Sequence, residues 1–453
     1  MESLAGNLCR SASLVIAALL AGCGARTDVL VDTEDTSSVA TYGWRAAIVG
    51  EPGVERPKPL VGAITLRRAV NAVVTFSPSV KSASAEIDAM KGEAYQASRR
   101  LNPEIAGAVG SLPNSGGIAA EDASTEIRLA QTFELGGKRI ARLRAANLGT
   151  SVADWGYEVA RLQAATEAVR VFVDVVAAQE RAQILRDSVG IAQKTRAAVE
   201  ERVNGGQASP IELDRAQVSV ADTKAALAAE NTRLRATRDQ LAALWGEDRA
   251  SFQRAVGRLG ADRRVPTLGQ IRALLDANPS LARWTDTIGY RSAILDVERS
   301  KAIPNLTVGA GVSRFASDGS TGMLAEVSIP LPVFDRNDGA ISAAHQRVAK
   351  AQFDAQAARS QLTVALIGAL GALSAADVEA SAIEQQVLPA AEAAFRRTRT
   401  GYDEGRFDLL DVFDTQRVLF EARQDLINAR ANYERARVRV EALIGTDLTT
   451  LTQ

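Results

Sequence analysis

Side chains able to do covalent or metal chemistry are scarce in these 453 residues. There is one histidine, His345, and there are two cysteines, Cys9 and Cys23. Placed in an alanine-rich helical stretch, His345 has no Ser/His/Asp grouping to join and reads as a surface or inter-helix residue. So small a set also leaves little for a structural metal cage or a redox pair. Gly136-Gly137-Lys138 looks like part of a phosphate loop, but the upstream glycine and the Ser/Thr after the lysine are both missing. No cofactor is implied. The chain holds 53 basic and 54 acidic residues, which leaves no excess for a nucleic-acid footprint. The ionisable groups that recur in a pattern sit beside glycine-containing turns. Ser209-Pro210-Ile211-Glu212 is a capping box with proline at the first helical position. Asp408 and Asp411 occupy the matching places 199 residues later, and capping is their plain reading. Asp414, one turn further on, calls for another role.

The elements that carry these turns are long. Aromatics make up 5% of the chain, while Ala, Arg, Leu and Glu are plentiful, a composition of extended helices rather than a compact mixed core. From Gly137 to Gly205 there is no proline, and a helix of that extent is on the order of 100 Å long. A second such stretch runs from Gly339 to Gly401, with Pro389 as an expected kink. Helices this long need partners along their whole length. A simple coiled-coil stalk would also satisfy that need.

The two stretches belong to a duplication with a spacing of about 200 residues. Ser77-Pro78 and Asn278-Pro279 each open a helix. Pro103 and Pro304, each 25 residues on, start strand-like runs. Residues 125–135 put Ile127, Leu129, Phe133 and Leu135 on one face, with Gln131 as the exception. Leu306, Val308, Ala310 and Val312 do the same in 304–315. So do Met323, Ala325, Val327, Ile329, Leu331 and Val333 in 322–333. Residues 104–112 are a weaker version. Charged residues such as Glu126, Arg128 and Glu326 fill the opposite phase. This period of two fits a lipid-facing barrel with a wet lumen, or a half-buried soluble sheet. The lengths suit tilted membrane strands, with Asn114–Gly117 and Ser317–Ser320 as external loops. Four strands cannot close around water, and an open edge cannot stand in lipid. Three copies would make a twelve-strand barrel.

Residues 1–22 read as a secretory signal, with Arg10 as the positive flank and Leu14–Leu20 as an apolar run too short to span a bilayer. Leu20-Ala21-Gly22-Cys23 resembles the bacterial lipobox, which implies lipidation of Cys23. Gly24, in place of an inner-membrane-retaining Asp, implies the outer membrane. No other stretch is expected to be a transmembrane helix. The chain then divides into a signal peptide (1–22), a periplasmic arm (23–62), a first repeat (63–246; strand pair 103–135, tip 204–210), an equatorial linker (247–277), a second repeat (278–446; strand pair 304–334, tip 401–408) and a tail (447–453).

With these features together, the sequence resembles the TolC-type outer-membrane efflux factors along nearly its whole mature length. Gln131-Thr-Phe-Glu-Leu-Gly-Gly-Lys-Arg139 is similar to that family's first strand-to-helix junction, in the form typical of its heavy-metal subgroup. Leu331-Pro-Val-Phe-Asp-Arg-Asn337 resembles the second. The resemblance implies an α+β membrane protein: a homotrimer with a 12-stranded barrel in outer-membrane lipid and a helical tunnel in the periplasm. It implies a passive duct and not an enzyme, serving a periplasmic adaptor and an inner-membrane resistance-nodulation-division pump that exports metal cations or drugs. It also implies a periplasmic gate in which Asp411 and Asp414 ring the narrowest point and Tyr402 helps to latch it. The family's latch arginine falls on Phe407, with Arg406 one place early. Gly205, Gly206, Ser209, Gly405 and Asp408 are the implied adaptor-docking tips. A lipid-anchored coiled-coil adaptor is the competing reading; it would need one hairpin and a small β-rich domain, whereas two hairpins and two strand pairs are present. A secreted lipoprotein enzyme lacks its catalytic grouping.

Overall fold

The structure is a computed structural model that describes residues 60–110, 124–260 and 263–448. The signal, Cys9, Cys23, most of the arm, the loop at Asn114–Gly117 and the end of the tail lie outside the described residues.

The chain enters through a short strand, β1 (Gly62–Thr65), and helix α1 (Leu66–Phe76). The sequence reading missed α1, although Thr65 caps it by accepting from the Arg68 N–H at 3.4 Å. Pro78 then opens α2 (Pro78–Ala97), as its place after Ser77 predicts. Strands β2 (Glu104–Gly110) and β3 (Ser124–Phe133) lead into α3 (Lys138–Asn204), a single helix of 67 residues. The first tip and α4 (Pro210–Ala243) complete the first repeat. The connector holds β4 (Phe252–Val256), α5 (Leu268–Ile271) and a 3-10 turn. The second repeat runs through α6 (Pro279–Lys301), β5 (Leu306–Phe315), β6 (Thr321–Ser328), α7 (Asp338–Ala382), α8 (Leu388–Asp403) and α9 (Leu409–Ile444).

Between α7 and α8, Ile383–Val387 forms one π-helical turn. Pro389 has no N–H for the carbonyl four residues earlier, and the widened turn just before it absorbs the mismatch. The irregularity expected at the proline is this π-helical turn, two to six residues before it.

The four long strands form one antiparallel sheet in the order β2-β3-β5-β6. Its register puts Ile127 beside Val312 and Met323, and Leu129 beside Ile105, Ala310 and Ala325, on one face. Glu126, Arg128 and Glu326 share the other face, where Arg128 and Glu326 pair at 2.9 Å and Thr132 and Thr307 share a 3.0 Å hydrogen bond. The two predicted faces are thus the observed ones, and the two outer strands leave open edges.

One strand boundary differs. The alternation predicts a strand to Val333, but β6 stops at Ser328. Phe315 N–H donates to Ser320 O at 3.1 Å, which marks these two as a hydrogen-bonded pair. Such pairs alternate along the ladder, so the even-numbered residues of β6 turn their amides toward β5. Pro330 and Pro332 fall in that phase and have no N–H to give.

A second difference concerns apolarity. The helix spanning Asp338–Asp403 contains a window apolar enough, by length and composition, to cross a membrane, and most of that window is unburied within one protomer. Val364, Ile367 and Val378 project from it into the open. The window arises because the apolar residues of this alanine-rich helix are spread round its circumference and not along a single stripe.

Cores sit where helices from both repeats converge. Trp245, Phe172, Val175 and Leu241 bury the β1/β4 region against α1, α3 and α4. The side chain of Gln179 clamps β4 by bonding both the N–H and the carbonyl of Ala255, at 2.8 and 2.9 Å. Tyr433, Leu366, Leu373 and Ile444 form the matching core of the second repeat.

Candidate functional site

The two tips are built alike down to their hydrogen bonds. In the first, Gly206 N–H donates to Val203 O and Gln207 N–H to Arg202 O. In the second, Gly405 N–H donates to Tyr402 O and Arg406 N–H to Gly401 O. This double closure of a helix end needs a left-handed residue, and Gly206 (φ 72°) and Gly405 (φ 74°) supply it. Gly205 caps the end of α3 just before this turn. In the second tip the helix continues through Gly401 to Asp403, so the turn itself is shorter than the 401–408 expected from sequence.

Each tip ends in a capping box. Ser209 N–H donates to Glu212 Oε1 at 3.3 Å, and Asp408 N–H donates to Asp411 Oδ2 at 3.1 Å. Asp411 therefore holds the cap of α9 with one carboxylate oxygen. Asp414, on the same exposed helix face, is 68% exposed and pairs with Arg417 at 2.8 Å; Arg417 also reaches Glu421 at 3.0 Å. His345 lies exposed on α7, far along the chain from either tip. No cluster of His, Cys, Asp or Glu suited to a metal ion occurs among the described residues.

Where the two hairpins meet, Tyr402 is buried among Val199, Ala216, Phe395 and Val412. Its hydroxyl donates to Glu212 Oε2 at 3.3 Å. Its carbonyl accepts from Arg202 Nη1 at 2.6 Å, and the Arg202 guanidinium lies 4.4 Å from its ring centre. Burial pushes the Tyr402 phenol upward; the Arg202 charge acts the other way, and Glu212 adds to the rise. The phenol thus stays protonated and able to donate to Glu212 through the physiological range. Arg202, Tyr402 and Glu212 come from α3, α8 and α4, so this cluster ties the first hairpin to the second.

The sequence reading named Arg406 alongside Tyr402; the structure sets Arg202 against Tyr402 and leaves Arg406 apart from it. Arg406 turns aside to Glu404 within its own turn, because the chain closure at Gly405 aims it there. Arg202 lies 200 residues before Tyr402, and only the duplication, which sets Val203 opposite Tyr402, hints at the meeting. Phe407 folds its ring over Gly401, where a Cβ would collide with it.

A family model described as outer membrane efflux protein matches residues 71–247 and 271–446. The cobalt-zinc-cadmium resistance protein CzcC of Cupriavidus metallidurans is 32% identical over 389 residues, covering 86% of this chain and 92% of that protein. The nickel-cobalt-cadmium resistance protein NccC of Alcaligenes xylosoxydans xylosoxydans is 28% identical over 67% of this chain and 69% of its own length. Among solved structures, CusC superposes with a TM-score of 0.72 at 15% identity, covering 88% of this chain and 97% of that one. VceC of Vibrio cholerae superposes with a TM-score of 0.69 at 18% identity, covering 84% and 96%.

Proposed function

The chain belongs to the outer membrane efflux protein family, and from that membership we propose that it is the passive exit duct of a heavy-metal efflux system. Three copies close the barrel, β6 of one protomer joining β2 of the next, so that no edge amide is left bare in lipid. The apolar face of the sheet meets the bilayer, and the Glu126, Arg128 and Glu326 face lines water. The unburied apolar flank of α7, with Val364, Ile367 and Val378, packs against a neighbouring protomer. Cys23 carries the lipid anchor.

The observation that carries this reading is the sheet itself. One face is apolar and exposed, the other is charged, and both outer strands are unpaired. A soluble adaptor has no use for such a surface. The relatives named for cobalt, zinc, cadmium and nickel resistance support divalent metal cations as the cargo. The duct does no chemistry on them; its contribution is a path and a gate.

The gate is at the tips. Asp411 and Asp414, repeated three times around the axis, form stacked acidic rings that concentrate cations at the entrance. The Arg202–Tyr402–Glu212 cluster holds the second hairpin against the first and keeps the entrance narrow. A periplasmic adaptor, acting for an inner-membrane pump, seats on the Gly205–Ser209 and Gly405–Asp408 turns and frees that contact. Two measurements test the proposal. Deleting the protein should sensitise its host to cobalt, zinc or cadmium, with resistance restored by the wild-type chain. The mass in mild detergent should be that of a trimer; a stable membrane-inserted monomer would overturn the architecture.

A further inference from the structure

A groove runs down the outside of the molecule directly below the sheet along α3, its upper hollow between α3 and α6 and its lower one on α3 alone. It consists of two adjoining hollows of about 400 and 390 Å³ that share Ile140 and Arg144. Its side of the molecule follows from helix periodicity. Lys138 bonds Asn305, and Arg142 pairs with Glu134 at 2.6 Å. Asn305 and Glu134 continue the polar phase of β5 and β3, so Lys138 and Arg142 face the axis. Ile140 and Arg144 lie about 200–240° further round the helix, on the outer surface.

The upper hollow has an apolar top and a charged base. Ile140 is 71% exposed, and Ile303 beside it is also open. Both lie just below Phe133, Leu135 and Leu331, the last 79% exposed, at the lower rim of the apolar band. The wall is close-fitting because Gly136 lets the chain turn against Ile303; a Cβ there would come within 2.7 Å of it. Beneath, Arg144 and Arg299 share a single carboxylate, Asp296, at 3.8 and 3.4 Å. The arginine side chains are 70% and 58% exposed, so their remaining donors are free for a partner. Two cations flanking one anion, under an apolar slot that continues a lipid-facing surface, match a headgroup carrying both a phosphate and an ammonium.

We propose that this groove binds one phospholipid of the periplasmic-side leaflet, an ethanolamine lipid in each protomer. Arg144 and Arg299 hold its phosphate, Asp296 takes its ammonium, and Ile140 and Ile303 support the start of its acyl chains. The site rests on the placement of the sheet in the membrane proposed above. It would brace the junction where a sheet that must stay closed meets helices that must move.

The test is native mass spectrometry of the delipidated trimer, titrated separately with phosphatidylethanolamine, phosphatidylcholine and phosphatidylglycerol. The expected result is saturation at three ethanolamine lipids per trimer, with weaker binding of the choline lipid, whose headgroup has no N–H to give Asp296. Arg144→Gln and Arg299→Gln should each weaken retention about tenfold, and Lys350→Gln, on the exposed face of α7, should leave it unchanged. Asp296→Asn should abolish the preference for ethanolamine over glycerol. Binding that never saturates, or that survives loss of both arginines, would reveal annular lipid only and overturn the site. The same spectra separate the two proposals: an intact trimer without saturable lipid removes only this site, whereas absence of a trimer removes the duct as well. Wild-type headgroup selectivity decides the matter even if a variant fails to assemble.

Discussion

Arg202→Ala tests the proposed gate most directly. The side chain contributes one charge-assisted hydrogen bond, to Tyr402 O at 2.6 Å, and one cation–π contact at 4.4 Å. A hydrogen bond to a charged group is worth about 1.5–3 kcal/mol and a half-buried cation–π contact about 1 kcal/mol. Together they favour hairpin contact by about 2–4 kcal/mol in each protomer. The tip turn itself is spared, because Gln207 bonds the Arg202 backbone carbonyl, which alanine retains. If the entrance opens by parting the hairpins, the mutation shifts the closed-to-open balance by about 30- to 1,000-fold per protomer. The assay is single-channel recording in planar bilayers, with trimer mass as the control for assembly. Arg202→Ala should raise resting conductance or lengthen conducting events. Glu212→Gln, whose carbonyl still accepts from Ser209 N–H while its amide can donate to the Tyr402 oxygen, should stay near wild type. An intact Arg202→Ala trimer with unaltered conductance and opening would show that the tips part elsewhere, and would remove this cluster from the gate.

Asp414→Ala separates the acidic ring from simple capping. Since Asp411 and not Asp414 holds the cap, the single change should weaken cation selectivity and multivalent-cation block with little loss of stability; an unaltered current–voltage relation counts against the ring. Gly401→Ala should displace the Phe407 ring and loosen the second tip, and Phe407→Ala should restore it in the double mutant; thermal unfolding of the set reads this, and additive losses would refute the contact. Glu441, beside Asp447 in the second-repeat core, is pushed up to about 8, chiefly by burial and then by Asp447, with Arg437 opposing. Its folded state holds the proton more tightly than the unfolded chain, so stability present at pH 4–5 should be lost as pH rises toward 8. Glu441→Gln should flatten that slope, and an unchanged slope would place its origin elsewhere. Cys23→Ser should abolish lipid labelling and slow precursor cleavage, while trimer assembly survives; persistent labelling would point to another acylated residue.

Much of the architecture is legible in the sequence because its signals are local. A period of two needs only neighbouring residues to be read, and Ile127, Leu129, Val308 and Val312 mark a single apolar face before any pairing is known. The 67-residue helix α3 is announced by the absence of proline, and both tips by glycine followed by a capping box. Where the reading failed, the deciding partner was distant. Pro330 and Pro332 are visible in the sequence, but whether they break a strand depends on which neighbour their missing amides would have faced, and the β5–β6 register sets that. The apolar window in Asp338–Asp403 is a matter of composition; only helix packing distinguishes a surface for other helices from one for lipid. The contact at Tyr402 shows how far such partners can lie. The family resemblance directs attention to Arg406, in the same tip as Tyr402. The tertiary structure brings in Arg202 and Glu212 from the other repeat, because two hairpins of equal length must align their ends when they pack side by side. The sequence determined the parts and their duplication; the packing of one repeat against the other decided which residues touch.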